Sequence, residues 1–257
     1  MKAAELFIRC LENEGVDCIF GIPGEENLDI TDALLGAPLR FVVTRHEQGA
    51  AFMADVYGRL TGRPGVCLST LGPGATNLVT GVADANLDHA PVVAIAGQAA
   101  TTRLHKESHQ VLNLVNLFQP VTKYASSILE PEVIPEVTRK AFKLAQAEKM
   151  GAAFIEFPEN IAAMEVEARP LRAYAPFPPE PSMEAVRRAA EVISDARNPI
   201  ILAGNGVIRA KAWKQLADFS QRLNIPVANT FMAKGVVPFF KNPLALGSVG
   251  LQANDYV

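Results

Sequence analysis

Short runs of apolar and β-branched residues alternate with longer amphipathic segments along the first two thirds of the chain. The runs predict six buried strands, at 18–20, 40–44, 66–70, 91–96, 124–128 and 152–157. Most of the segments between them have apolar residues at helical spacing. Strands separated by helices in this way are typical of βαβ units, whose parallel sheet is buried on both faces. The pattern therefore predicts an α/β domain with three layers, α/β/α, over residues 1–168.

A proline-rich segment separates this domain from a second α/β pattern. Residues 169–182 contain five prolines, so we expect a stiff, extended linker. Helix and strand patterns then alternate again, at 183–196, 199–203, 211–223 and 225–229, with a turn at 204–206. This order is that of a Rossmann-like domain. We expect it to be cut short, because residues 183–257 lie near the lower limit of domain size.

Composition and charge exclude several classes of function. The chain has 257 residues, a net charge of −3 and no Lys/Arg-rich run, which argues against a nucleic-acid partner. No apolar stretch reaches about 18 residues, and we expect an unexported, cytoplasmic protein. The three cysteines lack CxxC spacing and the four histidines lack metal-ligand spacing, so the sequence predicts neither a disulfide framework nor a zinc site.

Two loops that follow predicted strands are candidates for lining a ligand crevice, because ligands of open parallel sheets bind beyond the carboxyl ends of the strands. The first contains Pro23 and Gly24. The second runs from Thr70 through Gly72 to Asn77 and opens a helix, whose N–H groups and dipole can hold a polar group. It lacks the lysine of a phosphate loop. Taken by itself, the first loop favours a simple strand-to-helix turn, whereas the second favours a tight loop that lines a ligand crevice over a phosphate site.

Glu47 is the candidate catalytic residue. It stands where the strand at 40–44 gives way to an alanine-rich helix pattern. A carboxylate there also fits a structural role, since acidic residues stabilise a helix N-terminus by about 0.3–1 kcal/mol. The dense polar stretch at 103–110 is likewise open to two interpretations, a solvated loop, which its composition favours, or the wall of a site.

Several motifs, taken together, resemble those of the acetolactate synthase (acetohydroxyacid synthase) large subunits, a family of thiamine-diphosphate enzymes. They are Phe20-Gly21-Ile22-Pro23-Gly24, Arg45-His46-Glu47-Gln48-Gly49-Ala50-Ala51, Gly72-Pro73-Gly74-Ala75-Thr76-Asn77, Gly97-Gln98 and Val121-Thr122-Lys123. The resemblance implies that residues 1–168 form the family's pyrimidine-binding domain and 183–257 the first part of its central domain. We expect the family's third domain, which holds Mg²⁺ and the cofactor's diphosphate, to be absent.

The resemblance also implies how Glu47 acts. A carboxyl group bonded to the aminopyrimidine of thiamine diphosphate favours the imino tautomer, which then generates the ylid that attacks pyruvate. Gln110 matches a glutamine that helps to hold the reacting intermediate. The family's loops place five of these positions beside the aminopyrimidine: Pro23, Gly24, Thr70, Gly72 and Asn77.

Three further positions are candidates for the substrate pocket. Gln98 and Lys123 match family positions near it, although polar residues that cap buried strand ends would give the same pattern. His109 stands where the family commonly has Phe, and in this the chain resembles the catabolic members, which lack flavin. Residues 149–151 replace an Arg-Pro-Gly segment that binds FAD in biosynthetic members, and lysine lacks the bidentate fork of arginine, so FAD is doubtful.

The function implied is that of a transferase and carboligase that condenses two pyruvates to 2-acetolactate and CO₂. In the family this reaction serves branched-chain amino acid biosynthesis or catabolism, and the sequence leaves the choice open. The active site would lie between two subunits of a homodimer, and this chain alone would be inactive. Two alternatives remain: another thiamine-diphosphate-dependent 2-oxoacid decarboxylase or carboligase, or a noncatalytic dimerisation or binding module.

Overall fold

The computed structural model describes residues 1–173, 179–238 and 242–250. The chain divides into two compact units, Met1–Phe177 and Pro178–Val257. The expected linker at 169–182 lies in part outside the described residues, and so does the end of the expected central domain. The domain boundaries drawn from the sequence therefore stay predictions.

The first unit is built on a sheet of six parallel strands. They are β1 (Cys18–Gly21), β2 (Arg40–Val43), β3 (Gly65–Ser69), β4 (Val92–Gln98), β5 (Tyr124–Ser127) and β6 (Ala152–Pro158), in the order β2-β1-β3-β4-β6-β5. Every residue of β3, β4 and β6 is buried. Continuous apolar runs of this kind suit strands that are covered on both faces, as the sequence predicted.

Helices cover both faces of this sheet. They are α1 (Ala3–Asn13), α2 (Leu28–Ala33), α3 (Glu47–Thr61), α4 (Pro73–Leu87), α5 (Leu114–Phe118), α6 (Ile134–Gln146) and α7 (Glu159–Ala162). One apolar core joins α1 and α6 to alternate sheet residues such as Val93 and Ile155. A second core joins α3, α4 and α5 to the residues between them, such as Ala94 and Phe154. The α/β/α architecture is thus confirmed.

The local structure differs from the sequence pattern at two places near the sheet's carboxyl edge. Helix α4 begins at Pro73 and not at Asn77, with Gly72 as its N-cap at φ 52°. Proline fits the first helical position because its missing N–H would have no partner there. The irregular stretch expected at 99–119 contains the short helix α5, whose Leu114 and Phe118 are buried.

The second unit has a small parallel sheet. Its elements are α8 (Met183–Asp195), β7 (Ile201–Ala203), α9 (Asn205–Arg209), α10 (Trp213–Leu223), β8 (Val227–Asn229) and β9 (Ala245–Ser248), with the sheet order β7-β8-β9. The turn expected at 204–206 is in fact the start of α9, because Gly204 is the N-cap of that helix. Strand β9 was not predicted. Among the residues described, no helix has the length and apolar character needed to cross a membrane.

Candidate active site

Glu47 lies at the carboxyl edge of the first sheet, as the first residue of α3. The backbone N–H of Thr44 still pairs with Gly21 O at 2.9 Å, so the chain leaves the sheet immediately before the helix. His46 is the N-cap of α3, and its Nδ1 accepts a hydrogen bond from Gln48 N at 3.1 Å. This bond satisfies one of the free N–H groups of the first turn. The start of α3, and with it the half-buried carboxylate, is therefore fixed.

Within the described ranges, one side-chain hydrogen bond orients that carboxylate. Asn77 Nδ2 in α4 donates to Glu47 Oε2 at 3.0 Å. Asn77 follows the Gly72-Pro73-Gly74 segment that begins α4, and α3 packs along α4 in the same apolar core. The bond therefore links two motifs that lie 30 residues apart in the sequence.

The other carboxylate oxygen, Oε1, lies beside a glycine. A Cβ at Gly74 would stand 3.4 Å from Glu47 Oε1 and 2.9 Å from Thr70 Oγ1. A Cβ at Gly24 would stand only 2.0 Å from Thr70 Cγ2. Both glycines thus permit the three loops to meet around Thr70 and Glu47. Four predicted site residues come together here: Gly24, Glu47, Thr70 and Asn77.

The loop that carries Pro23 and Gly24 is shaped by a residue that the sequence did not single out. Asn27 is buried, with 1% of its surface exposed, and its Oδ1 accepts from Gly24 N at 2.9 Å. Its Nδ2 donates to Ile22 O at 3.2 Å. Asn27 therefore folds the loop on itself and leaves Pro23 exposed. A polar residue closing a Pro/Gly-rich loop was the only signal in the sequence.

Gly72 brings the loop of Gln110 to the start of α4. Its φ of 52° favours glycine, and a Cβ there would stand 2.5 Å from Gln110 O. Both His109 and Gln110 are exposed. The polar stretch at 103–110 thus has one backbone contact with the site, while its side chains face solvent at these two positions.

Gln98 makes its contacts at the end of β4, whereas Lys123 bonds to the segment that follows α6. Gln98 is buried, its Nε2 donates to Leu112 O at 3.0 Å and Glu156 Oε2 at 2.8 Å, and its Oε1 accepts from Ala99 N at 3.0 Å. Lys123 Nζ donates to Ala147 O and Lys149 O, each at 2.6 Å. Burial of this ammonium lowers the pKa of Lys123. A role for either residue in a substrate pocket stays a prediction.

Metal ligands are not grouped in the part of the chain that the structure describes. Within it, no cluster of three or more His, Cys, Asp or Glu side chains could hold a metal ion. What the described residues bring together here is one oriented carboxyl group, Glu47, beside Gly74 and Thr70.

Two models of known protein families match the sequence of this chain. Residues 1–117 match the model of the thiamine pyrophosphate enzyme N-terminal TPP binding domain. Residues 186–257 match that of the thiamine pyrophosphate enzyme central domain. The first match includes Glu47 and the three loops around it.

Curated relatives are similar in sequence to nearly the whole of this chain. A probable acetolactate synthase large subunit of Methanocaldococcus jannaschii is 42% identical over 98% of this chain and 44% of its own length. The acetolactate synthase of Bacillus subtilis is 38% identical over 99% of the chain and 45% of its own length. The acetolactate synthase isozyme 1 large subunit of Escherichia coli K12 is 36% identical over 96% and 44%. The chain thus spans less than half the length of these relatives, and it belongs to the thiamine pyrophosphate enzyme family with that family's N-terminal and central domains.

Proposed function

We propose that this chain supplies the cofactor-activating carboxylate of a thiamine-diphosphate-dependent acetolactate synthase. The observation that carries the proposal is the position of Glu47, whose Oε2 is held by Asn77 while Oε1 faces Gly74. The relatives named acetolactate synthase support the choice of reaction.

The residues at this site fit the aminopyrimidine of thiamine diphosphate. A flat heterocycle needs backbone that it can approach closely, and glycine at positions 24 and 74 lets the backbone of both loops pack against Thr70, with Gly74 also beside the carboxylate. Gly24, Thr70 and Gly74 would line the ring, with Pro23 at the exposed end of the first loop. Glu47 would bond to a ring nitrogen. When bound, the cofactor supplies the carbon nucleophile that adds to a 2-oxo acid.

Glu47 would act by holding a proton between its carboxyl group and the ring nitrogen. A hydrogen bond from Asn77 to Oε2 fixes the plane of the carboxyl group, which leaves Oε1 for the ring. The half-buried position limits competition from water, and an oriented proton donor or acceptor of this kind contributes about 10²–10⁴-fold to a rate.

The reaction that we propose joins two pyruvates to give 2-acetolactate and CO₂. One pyruvate loses its carboxyl group as CO₂, and the remaining two-carbon unit forms a bond to the carbonyl carbon of the second. Gln110 and His109 are exposed on the loop that meets Gly72, so we propose that they contact the substrates. Mg²⁺ would accompany the diphosphate, and FAD is not part of the proposal.

A homodimer is part of the proposal because the outer face of α3 is apolar. Phe52, Met53, Val56 and Leu60 are 37%, 46%, 49% and 82% exposed. These positions recur at helical spacing along one side of the helix that begins with Glu47. An exposed apolar stripe of this kind marks an interaction surface, and a second copy of the chain is the partner that we propose.

The test of the catalytic role is Glu47→Gln in the active enzyme that contains this chain. The amide keeps the shape of the side chain but cannot exchange a proton with the ring, so we expect kcat to fall about 10²-fold or more. Glu136→Gln is the matched control, since Glu136 also lies in the first turn of a helix, α6, and is exposed. Both variants lose the small dipole contribution of an acidic residue.

Turnover near the wild-type rate in Glu47→Gln would remove Glu47 from the mechanism. An equal loss in Glu136→Gln would show that the effect is structural. Analysis of the product separates the second candidate function: a different 2-hydroxy ketone or an aldehyde from pyruvate would indicate another thiamine-diphosphate-dependent carboligase or decarboxylase.

A further inference from the structure

A carboxylate is buried at the carboxyl end of β6, outside the site described above. Glu156 is 5% exposed, and it forms no ion pair within the described residues. Carboxylates are almost never buried to this extent without a partner. The hydrogen bond that Glu156 does accept comes from Gln98 Nε2, at 2.8 Å. The buried acid therefore holds an amide in place.

That amide connects the two ends of one loop. Gln98 is the last residue of β4, and its Oε1 accepts from the first loop residue, Ala99, through the backbone N–H at 3.0 Å. The same Nε2 that bonds to Glu156 donates its second hydrogen to Leu112 O at 3.0 Å. Because all of its polar atoms are used, the amide can adopt only this orientation. Gln98 thus ties residue 99 to residue 112.

Two residues of α7 hold the beginning of the same loop. Glu159 Oε1 accepts from Ala100 N, and Asn160 Oδ1 accepts from Thr101 N, each at 2.9 Å. Asn160 Nδ2 also donates to Thr101 Oγ1 at 3.0 Å. The start of the loop is therefore fixed by α7. Within the described residues, the end of the loop is fixed by the hydrogen bond from Gln98, the last residue of β4, to Leu112 O.

The loop meets the candidate active site at Gly72. Gln110 O lies 2.5 Å from where a Gly72 Cβ would stand, so the backbone at 110 is packed against the N-cap of α4. Helix α4 carries Asn77, the partner of Glu47. Movement of the loop end would change the placement of Gln110 against Gly72.

We propose that Glu156 and Gln98 are positioning residues for the reaction, which clamp the end of the 99–112 loop so that Gln110 stays at the start of α4. For its catalytic consequence the proposal rests on the proposed function. Its structural part concerns only this chain.

Hydrogen exchange of this chain tests the structural part. Gln98→Met keeps the length of the side chain and removes its three hydrogen bonds, so amides of the 99–112 loop should exchange about tenfold faster or more. Amides of α1, which packs in the other core, should not change. Glu156→Leu should reproduce the effect, and Glu156→Gln should restore slow exchange, because its amide oxygen still accepts from Gln98.

Unchanged exchange of the loop in Gln98→Met would overturn the proposal. So would faster exchange of α1 to the same degree, because the residue would then support the whole fold and not the loop. Failure of Glu156→Gln to restore slow exchange would also contradict it, since a clamp needs only the hydrogen-bond acceptor.

Kinetics of the active enzyme test the catalytic part. Gln98→Met should lower kcat about tenfold while the KM for thiamine diphosphate stays within about twofold, because Glu47 and Asn77 keep their bond. Glu156→Gln should retain the wild-type kcat. A loosened loop with an unchanged kcat would overturn the positioning role. The proposed function would fail separately, through an active Glu47→Gln variant, and the exchange results would stand.

Discussion

The close approach of α4 to Thr70 and the Glu47 carboxylate depends on the absence of one side chain. Gly74 lies in the first turn of α4, and a Cβ there would stand 2.9 Å from Thr70 Oγ1 and 3.4 Å from Glu47 Oε1. Gly49 lies in the first turn of α3, yet a Cβ there would have no heavy atom within 4 Å. The two glycines have similar helical positions and different surroundings, which makes them a matched pair.

Gly74→Ala should weaken the binding of thiamine diphosphate to the active enzyme about tenfold, or about 1.4 kcal/mol, because the methyl group displaces Thr70 from its place beside the carboxylate. Gly49→Ala should leave binding unchanged and stabilise the fold by roughly 0.5–1 kcal/mol, since alanine is the better helix former. Isothermal titration calorimetry and thermal unfolding give the two values. Equal cofactor affinities in both variants would show that the glycine at position 74 is not needed for cofactor binding.

A second residue-scale prediction concerns Glu14, whose carboxylate forms an ion pair with Arg139 of α6. Burial of the side chain raises the pKa of Glu14 from 4.5 to about 7, although the charge of Arg139 opposes the shift. A raised pKa in the folded state means that the native protein holds the proton more tightly. The contribution to stability is therefore present below pH 4.5 and lost as the pH rises through 7.

We expect the free energy of unfolding to fall by at most about 3 kcal/mol over this range because of Glu14. In Glu14→Gln this part of the pH dependence should disappear, while Glu5→Gln, on the same helix α1, should retain it. Denaturant unfolding between pH 4.5 and 7.5 measures the difference, with the range set by the shift. A fall of the same size in Glu14→Gln and Glu5→Gln would contradict the assignment to Glu14.

Sequence reasoning located some residues of the site and missed others for a physical reason. Glu47 was found because its place between a strand pattern and a helix pattern is visible locally. Asn27 and Glu156 were not, because their importance comes from burial, and burial depends on chain segments far away in the sequence. Among the described residues, Glu156 has its side-chain contact with Gln98, 58 residues earlier.

At the scale of elements, α3 is joined to α4 at both ends. The Glu47–Asn77 bond lies at the first turn of α3, and Arg59 lies in its last turn. Arg59 forms ion pairs with Asp55, Asp84 and Asp88 at 2.8, 2.8 and 2.7 Å. Burial raises the pKa of Asp55, whose side chain is only 3% exposed. The arginine is what compensates that buried carboxylate.

Arg59→Met should therefore destabilise the first unit by about 3–5 kcal/mol, since it leaves a buried carboxylate without its partner. Arg63→Met is the control, because the Arg63–Asp17 pair is about half exposed on both sides and such pairs contribute less than about 1 kcal/mol. Denaturant unfolding measures both. Equal losses of unfolding free energy in the two variants would show that the ion pairs of Arg59 stabilise the fold no more than the exposed pair of Arg63.

The sequence predicted elements best where the local pattern and the packing agree. All six strands of the first sheet were expected, and the signal was clearest for the continuous apolar run of β4. Strand β9 was missed, since it is short and its burial is incomplete. The start of α4 was placed four residues late, because Gly and Pro usually indicate a turn, whereas here they form the N-cap and first position of a helix.

At the scale of the whole molecule, the two faces of the sheet in the first unit are covered by cores of different composition. The core that joins α1 and α6 contains large residues such as Phe7 and Phe142. On the other side the α3–α4 core is built largely from alanines, among them Ala50, Ala54 and Ala75. Small residues let α3 and α4 pack closely on the sheet, so the larger apolar side chains of α3 point outward.

This arrangement leads to a prediction about assembly. Met53 lies near the middle of the exposed stripe on α3 and is 46% exposed. If a second copy of the chain covers the stripe, Met53→Lys should bury a charge at the interface and raise the dimer dissociation constant about hundredfold. Leu35→Lys is the control, since Leu35 is 86% exposed on a short turn that follows α2. That substitution should leave association unchanged.

Sedimentation velocity over a range of concentrations measures both constants. A wild-type chain that stays monomeric, or a Met53→Lys variant that associates as tightly as the wild type, would show that the stripe is not the interface. Loss of association in both variants would indicate that charge alone opposes self-association. The expected result, loss in Met53→Lys only, would place the partner copy along the outer face of α3.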